Sequence, residues 1–334
     1  FGGALPLGCF DIEHAESALF VGTNPVVSHQ WTMPQSNPMT RVKRALQRGM
    51  KLVVIDPRRS DLAERAHVHL QVKPGEDAAL LACMIREIIE NQWYDADYVA
   101  DYVSGIDALY EAVKPFDLAY TERRTTCPAA DIVEAARLFA TAGSGAAASG
   151  TGLHMARHQN LNTQLVQTFN ALCGRFDRRG GMTRIDGTLG PVLPDSGNQP
   201  LPVNMRTEHW SRMRNIQGIT GLFGYQEMPT NTLTDEILTP GKGQIMALIV
   251  NGGNPALVFS DTDHTLKALD TLDLLVVNDL FMSATAKHAD YVMAVKHPFE
   301  RVDIPMLSDN YYPFSFNQYT EKMVEAEDDV IEEW

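Results

Sequence analysis

The chain is predicted to be an α/β protein, with a dinucleotide-binding-like parallel sheet flanked by helices and part of a second, similar α/β domain. Two apolar runs carry this prediction, because each stops at the same motif, Gly-x-Asn-Pro, at residues 22–25 and 252–255. An apolar run bounded by Gly and Pro is typical of a buried parallel strand. Strands alternate with amphipathic helices over the first half of the chain, which is the pattern of a doubly wound sheet.

Apolar runs and helical periodicity define the remaining predicted elements. Strands are expected at residues 18–22, 51–55, 68–72, 247–250, 274–277 and 291–295, with a small-residue strand and glycine turn at 145–152. Helices are expected at residues 40–48, 78–91, 131–141 and 160–173. Asp77 is placed to cap the second of these helices. Residues 180–243 are rich in Gly, Pro, Asn and Thr with weak periodicity, which predicts long surface loops with a little helix.

The length of 334 residues exceeds what one hydrophobic core usually holds, so two domains are expected. The predicted first domain covers residues 1–245 and includes the loop-rich stretch. Residues 246–334 contain too few strands for an independent domain. They are therefore interpreted as part of a second domain that other segments complete. We interpret the chain, which begins with Phe1, as the central part of a longer polypeptide.

Composition excludes some classes of function. The net charge is −14 and the isoelectric point is near 5.1, which argues against nucleic acid as the main partner. No apolar run is long enough to span a bilayer. The four cysteines show no CxxC spacing, so the local signature of zinc or iron–sulfur binding is absent. They are predicted to be reduced structural thiols, which fits a reducing compartment but leaves the location open.

The ends of the predicted strands carry the residues that could bind a ligand. In open α/β sheets, ligands bind where the strands leave the sheet. The ends in the first domain are Gly22-Thr23-Asn24-Pro25, Asp56-Pro57-Arg58-Arg59, Pro74-Gly75-Glu76-Asp77 and Gly150-Thr151-Gly152. Glycine lets backbone N–H groups approach a diphosphate, an acid suits a ribose or purine edge, and arginine forks to phosphate.

Any one of these ends taken alone is better explained as an ordinary turn, since Gly, Asn, Pro and Asp are common turn residues. Four in order, followed by a second Gly-x-Asn-Pro, favour a dinucleotide-type site. The GxGxxG fingerprint is absent, so a nicotinamide dehydrogenase is the least favoured interpretation.

The same stretches resemble a known family. The sequence is similar to the molybdopterin-dependent oxidoreductases of the dimethyl sulfoxide reductase superfamily, which include formate dehydrogenases, acetylene hydratase and pyrogallol transhydroxylase. The similar stretches occur in the family's order at residues 19–29, 51–63, 72–81, 150–181, 248–255 and 277–292. One departure is Ser283-Ala284-Thr285-Ala286, where the family commonly has Thr-Glu-Thr-Ala.

The resemblance implies a bis(molybdopterin guanine dinucleotide) cofactor that carries molybdenum or tungsten. One guanine nucleotide arm would contact the first set of strand ends, at Gly22, Asn24, Asp56, Arg58, Gly75, Asp77 and Gly152. The other arm would contact the second set, at Gly253, Asn254, Pro255, Asp279 and Thr285. A pseudo-symmetric cofactor would explain why the motif occurs twice. An iron–sulfur cluster is expected on a segment outside this chain.

The catalytic residues are not defined by the sequence. His154 follows the glycine turn at 150–152 and is the one candidate, with a structural imidazole as the alternative. The metal's protein ligand is expected upstream of Phe1. Cys9 is instead predicted to be a small buried thiol, and no metal ligand is assigned in this chain.

Three functional hypotheses follow from the resemblance. In the first, an enzyme moves two electrons to or from a small-molecule substrate, with an iron–sulfur subunit or domain as electron-transfer partner. In the second, the same cofactor serves a non-redox hydratase or transhydroxylase. In the third, the chain belongs to a metal-free scaffold subunit.

Overall fold

The structure is a computed structural model, and it describes residues 9–29, 33–34, 36–183, 206–213, 217–220, 226–228, 230–304, 317–327 and 329–332. The described residues from 9 to 183 belong to a first compact unit. Those from 206 to 304 and from 318 onward belong to a second. Residues 206–245 thus group with the second unit, in part because helix Leu233–Leu238 packs against helix Thr262–Leu269. The domain boundary predicted near residue 245 therefore differs from this division; the domains of the complete protein stay a prediction.

The first unit is built around a parallel sheet. The strands of this unit are β1 (Cys9–Phe10), β2 (Ser17–Val21), β3 (Lys51–Ile55), β4 (Val68–Leu70), β5 (Gly145–Ser149) and β6 (Met182–Thr183). The sheet order is β4-β3-β2-β5, and β1 pairs with β6 in a separate antiparallel ribbon. The register aligns Val21 with both Ile55 and Ser149, and Ile55 with Leu70. All four parallel strands therefore end at one edge of the sheet.

Helices cover both faces of this sheet. They are α1 (Pro25–Ser28), α2 (Pro38–Gln47), α3 (Asp77–Glu90), α4 (Ala96–Tyr102), α5 (Ile106–Val113), α6 (Leu118–Thr125), α7 (Ala129–Ala140), α8 (Thr151–His154) and α9 (Gln159–Leu172). One face packs against α3, α7 and α9, and the other against α2. Strand β2 is buried along its whole length because both faces are covered. The predicted α/β fold with a helix-flanked parallel sheet is confirmed.

Two local differences from the prediction concern helices. Asp77 is the first residue of α3 and not its cap, because the helix begins one residue earlier than expected and Glu76 precedes it. Helices α4, α5 and α6 were not predicted. All three are short. Two of them begin after a capping residue whose signal was available: before α4, Asp95 accepts from the N–H of Tyr98 at 3.0 Å, and before α6, Asp117 accepts from the N–H of Tyr120 at 2.7 Å.

The second unit contains a smaller parallel sheet. The strands of this unit are β7 (Arg206–Trp210), β8 (Gln217–Thr220), β9 (Gln226–Glu227), β10 (Ala247–Asn251), β11 (Leu274–Asp279) and β12 (Tyr291–Ala294). The helices of this unit are α10 (Leu233–Leu238), α11 (Pro255–Val258) and α12 (Thr262–Leu269). The parallel order is β10-β11-β12, with the core between one sheet face and α11, α12 and the 3₁₀ helix Ala286–His288.

Two predictions for this unit were wrong. The described part of the stretch 180–243 contains an antiparallel sheet, β7-β8-β9, which was not predicted because strands this short show too little alternation to be recognised. The loops predicted over residues 184–205 lie outside the described residues. Strand β10 was expected to be buried, but only Val250 of its residues is. Among the described residues, no helix covers the sheet face that carries Ile249, which is 70% exposed.

Candidate functional site

The first Gly-x-Asn-Pro turn brings two strand ends into direct backbone contact. Gly22 adopts φ +56° and donates its N–H to Ile55 O at 2.9 Å, while Gly152 donates to Gly22 O at 2.9 Å. A Cβ on Gly152 would lie 2.7 Å from Gly22 O, and a Cβ on Gly22 would lie 2.7 Å from the side chain of Leu153. Only glycine fits at either position, so these two loops present bare backbone at the sheet edge.

Asn24 stands at the start of helix α1, directly after this turn. Its carbonyl oxygen accepts from the N–H of Val27 at 3.0 Å and from the N–H and hydroxyl of Ser28 at 2.9 and 3.0 Å. Its side-chain oxygen Oδ1 is buried and has no hydrogen-bond partner. A buried amide oxygen without a donor costs free energy that a ligand donor would recover.

Asp56 follows strand β3 and organises the next loop. Its Oδ1 accepts the N–H of Arg58 at 2.8 Å, and its carbonyl oxygen pairs with His69 Nε2 at 2.9 Å. The side chain of Gln71, which directly follows β4, donates to Pro57 O at 2.8 Å. The two hydrogen bonds from His69 and Gln71 therefore hold the loop against the end of β4. The side chain of Arg58 is exposed and available to an anion.

Asp77 lies across from this loop at the start of α3. It is buried, and desolvation raises the pKa of its carboxyl; a backbone hydrogen bond opposes this, and the charges of Asp56 and Glu76 raise the pKa further. Gly75, with φ +89°, has open space where a side chain would lie. An open groove lies beside these residues, lined by Pro57, His69, Gln71, Val72, Lys73, Pro74, Thr126 and Pro128. The sequence prediction did not include His69, Gln71 or Lys73.

His154 lies one turn beyond the end of β5. Its Nε2 is 3.4 Å from the hydroxyl of Ser149, and partial burial lowers the pKa of the ring below its usual value. The ring is therefore mostly neutral at neutral pH and can accept a proton. Cys9, in contrast, is fully buried, and burial raises the pKa of its thiol to about 12. The thiol keeps its proton, so it is a poor metal ligand, in keeping with its prediction as a buried thiol.

The second Gly-x-Asn-Pro turn repeats the backbone of the first. Gly252 has φ +60° and donates its N–H to Asn278 O at 2.9 Å, as Gly22 does to Ile55. Asn254 precedes α11 with φ −132° and ψ 70°, close to the −125° and 79° of Asn24. Gly253 and Pro255 complete the turn, with Pro255 buried as the first residue of the helix.

The side chain of Asn254 is fixed by Thr285, which is completely buried. Its Oδ1 accepts from the N–H of Thr285 at 3.1 Å and from the Thr285 hydroxyl at 2.8 Å. The Thr285 oxygen also accepts from the N–H of Ala256 at 3.1 Å. These bonds make Thr285 a residue that positions Asn254; its predicted contact with a cofactor stays a prediction.

The repeat extends into the next loop. Asp279 accepts the N–H of Phe281 at 3.1 Å, as Asp56 does for Arg58. Ser60 and Ser283 accept from the N–H of Ala63 and Ala286, at 3.3 and 3.2 Å. Both serines precede a 3₁₀ helix that leads into the third strand of its sheet. Each unit therefore carries one copy of the same strand–turn–helix–strand–loop–strand arrangement.

Within the part of the chain that the structure describes, no three His, Cys, Asp or Glu side chains are grouped so that they could hold a metal ion. No described helix has the length and apolar character required to cross a membrane.

Comparison with known proteins places this arrangement in a family. The family description "Molybdopterin oxidoreductase" matches residues 4–334, so the chain belongs to the molybdopterin oxidoreductase family. Acetylene hydratase of Syntrophotalea acetylenica is 28% identical over 339 residues, which cover 95% of this chain and 45% of that protein. The F420-dependent formate dehydrogenase subunit alpha of Methanocaldococcus jannaschii is 28% identical over 304 residues, covering 87% of this chain and 42% of that protein.

A solved structure shows the same fold. Acetylene hydratase from Pelobacter acetylenicus superposes with a TM-score of 0.79 at 24% identity, covering 97% of this chain and 46% of that one. The chain thus spans less than half the length of these relatives. The resemblance predicted from the sequence is confirmed, and the family implies a molybdopterin group with molybdenum or tungsten.

One observation in the first unit fits such a group. The side-chain oxygen of Asn24 is buried without a hydrogen-bond donor. This is expected of a protein surface that is completed by a bound polar ligand. The close contact between Gly22 and Gly152 is a packing requirement, since a Cβ at either position would meet Leu153 or Gly22.

Proposed function

We propose that the chain is part of the catalytic subunit of a molybdenum- or tungsten-dependent oxidoreductase that binds a bis(molybdopterin guanine dinucleotide). In this proposal each unit holds one guanine nucleotide arm. The observation that carries it is the repeated Gly-x-Asn-Pro turn, whose two copies share positive φ at the glycine and nearly equal angles at the asparagine. A pseudo-symmetric ligand is the simplest reason for a protein to build the same strand end twice.

The first arm would be held at the edge where β2, β3, β4 and β5 end. Gly22, Gly75 and Gly152 would let the diphosphate approach the backbone. Asn24 Oδ1 would gain the donor that it lacks in the protein alone.

The charged groups of this edge would select the nucleotide. Asp56 and Asp77 would accept hydrogen bonds from the N–H groups of guanosine. These hydrogen bonds would offset the unfavourable burial of the Asp77 carboxylate. Arg58 is exposed beside them and would fork to phosphate oxygens.

The second arm would be held by the equivalent residues of the second unit. Gly253 and Pro255 would shape the turn, and Asp279 would play the part of Asp56. Asn254 would offer its remaining amide hydrogens, because Thr285 already satisfies its oxygen. The two arms would therefore bind to surfaces that differ in whether the side-chain oxygen of the asparagine already has a donor.

The bound group would supply the metal at which a small substrate gains or loses two electrons. His154 is the nearest candidate in this chain for holding a proton beside such a substrate, since its lowered pKa keeps the ring neutral. Electrons would leave through an iron–sulfur centre on a segment or partner subunit outside this chain. The name "subunit alpha" among the formate dehydrogenase relatives supports a multi-subunit enzyme.

A second candidate function is a non-redox hydratase or transhydroxylase that uses the same cofactor. The observation that favours it is the similarity to acetylene hydratase over 95% of the chain, against 87% for the formate dehydrogenases. There the metal would act as a Lewis acid without net electron transfer.

The test is to purify the complete polypeptide without oxygen, measure molybdenum, tungsten and iron, and assay two reactions. Formate-dependent reduction of a dye would support the oxidoreductase, whereas hydration of acetylene without dye reduction would support the hydratase. A protein with neither metal would contradict both and leave a scaffold subunit. Lys267→Ala, on an exposed helix face, serves as the control variant, which should leave the metal content and both measured activities unchanged.

A further inference from the structure

The residue that precedes the third parallel strand is a histidine in the first unit and an aspartate in the second. His67 directly precedes β4, and Asp290 directly precedes β12. Each lies just before the first pair of its parallel ladder, which is Val53 with Val68 in the first unit and Val276 with Tyr291 in the second. The two positions are therefore equivalent in the repeat, and they carry side chains of different chemistry.

Both side chains make the same contact with the neighbouring strand. The N–H of His67 donates to Leu52 O at 2.7 Å, and the N–H of Leu52 donates to His67 Nδ1 at 3.1 Å. In the second unit the N–H of Asp290 donates to Leu275 O at 2.9 Å, and the N–H of Leu275 donates to Asp290 Oδ2 at 2.8 Å. Leu52 and Leu275 are buried residues. Each side chain thus supplies the acceptor for a backbone N–H that lies one residue ahead of the ladder.

The two acceptors respond differently to acid. A histidine ring accepts at Nδ1 only while it is neutral with its proton on Nε2, because a protonated ring has donors at both nitrogens. Protonation would therefore set the Nδ1–H of His67 against the N–H of Leu52. An aspartate carboxylate still accepts in the mildly acidic range in which histidine takes up its proton. The same strand contact is thus sensitive to mild acid in the first unit only.

The surroundings of His67 favour its neutral ring. Solvent reaches the residue, but desolvation of the ring is still the main cause that lowers its pKa, and the charge of Lys51 adds to the effect. The charged and titratable side chains on the elements packed around this contact are Lys51 of β3, His69 of β4, Glu64 and Arg65 of the 3₁₀ helix Ala63–Arg65, and Asp131, Glu134 and Arg137 of α7.

The direction of the pKa shift fixes the pH range of the effect. The pKa of His67 in the folded protein lies below the usual value of 6.5, so the unfolded chain binds the proton more readily. The stability from this group is therefore present above the usual value and is lost as the pH falls through it.

We propose that His67 is a pH-sensitive switch, which closes the start of the β3–β4 ladder when its ring is neutral and opens it when the ring is protonated in mild acid. Asp290 keeps the equivalent ladder of the second unit closed over the same range. The other end of the β3–β4 contact is not sensitive in this way, because His69 Nε2 can donate to Asp56 O in either protonation state. The switch consists of residues of this chain alone and does not depend on a bound cofactor.

Hydrogen exchange at single amides of the complete polypeptide tests the proposal. The amides of Leu52 and Leu275 are compared by the ratio of intrinsic to observed exchange rate, so that the effect of pH on the intrinsic rate cancels. Between about pH 7.5 and about pH 5.5, this ratio is expected to fall about five- to tenfold at Leu52, which is the effect of one lost hydrogen bond, and to stay unchanged at Leu275.

Exchanging the two residues separates the switch from a general effect of acid. His67→Asp should remove the pH dependence at Leu52, because the carboxylate supplies the acceptor that the second unit uses. Asp290→His should create a pH dependence at Leu275. His29→Asp, at an exposed histidine that belongs to neither ladder, is the matched control and should alter the exchange of neither amide.

Three results would overturn the proposal. They are a ratio at Leu52 that does not change with pH, equal changes at Leu52 and Leu275 in the natural protein, and a pH dependence at Leu52 that persists in His67→Asp. The first two are measured on the natural protein without any substitution, so they decide the proposal even when a variant fails to fold.

Discussion

The two Gly-x-Asn-Pro turns follow almost the same backbone path, but different side chains support them. Leu62 and Thr285 occupy equivalent positions, with φ and ψ of −75° and −44° in the first and −66° and −42° in the second. Thr285 donates two hydrogen bonds to Asn254, whereas Leu62 has no polar side chain to offer Asn24. The second turn is therefore held by the protein itself, whereas in the first turn the side-chain oxygen of Asn24 has no donor.

The turns also differ in their neighbours. Gly22 touches the end of β5, so that a side chain would meet Leu153, while Gly252 has nothing within 4 Å of the same position. Equal dihedral angles thus have different origins: close packing requires glycine in the first turn, and only the positive φ favours it in the second.

The largest effect is expected from alanine at these two glycines. Gly22→Ala should lower the free energy of unfolding by about 2–4 kcal/mol, since strain at positive φ adds to a steric clash. Gly252→Ala should cost only the strain, about 1–2 kcal/mol. Urea denaturation followed by hydrogen exchange in β2 and β10 measures each effect locally. Equal costs would contradict the distinction between the turns.

The asparagines should show the opposite order. Asn254→Ala leaves the buried N–H and hydroxyl of Thr285 without their acceptor, so a loss of about 1–3 kcal/mol is expected. Asn24→Ala removes a side chain whose oxygen has no partner and should change stability by less than about 0.5 kcal/mol.

Guanine nucleotide content should rank the two asparagine variants in the opposite order from stability. Asn24→Ala is expected to lower the guanine nucleotide content of the purified complete protein even though it folds normally. A marked loss of stability with full nucleotide content would show that Asn24 has a structural role instead.

A smaller effect is expected at Thr285. Thr285→Val keeps the shape but removes the hydroxyl that bridges Asn254 and Ala256, and about 1–2 kcal/mol should be lost. Thr285→Ser keeps the hydroxyl and should retain most of the stability. Thermal unfolding of the pair decides the point, because a role in packing alone would make the serine variant the worse of the two.

The smallest effect is a pH dependence at Asp77. Its pKa is raised in the folded protein, chiefly by burial, so the ionised carboxyl is less favourable there than in the unfolded chain. Stability from this group is present below the usual aspartate pKa and is lost as the pH rises through the raised value. Asp77→Asn should therefore gain stability relative to the natural protein as the pH rises above the usual aspartate pKa, as measured by urea denaturation at a series of pH values. Parallel curves would contradict the raised pKa.

Sequence patterns predicted the sheet well because parallel strands are continuous apolar runs. The strand at 51–55 was predicted with the bounds observed, and β2 differs by one residue. Helices α4 to α6 were not predicted because they are short; α5 and α6 pack against α3, and α4 packs against α9. Burial of β10 was mispredicted because an apolar run shows that a surface will be covered, but not by which segment.

The candidate site could be predicted only as a set of residues. Gly22, Asp56 and Gly152 lie at one edge of the sheet because their parallel strands end there, and the sequence motifs at the strand ends were sufficient to predict this. The bond from Thr285 to Asn254 and the missing donor at Asn24 depend on which side chain faces which turn. Such contacts arise from tertiary packing, and no local pattern carries them.

The most direct test of the central claim counts guanosine monophosphate released by acid from the complete protein, purified without oxygen, per molybdenum or tungsten atom. If both turns hold one arm of the same cofactor, two guanosine monophosphates per metal are expected. A single guanosine monophosphate per metal would leave one turn without its ligand, and none would contradict the guanine dinucleotide altogether.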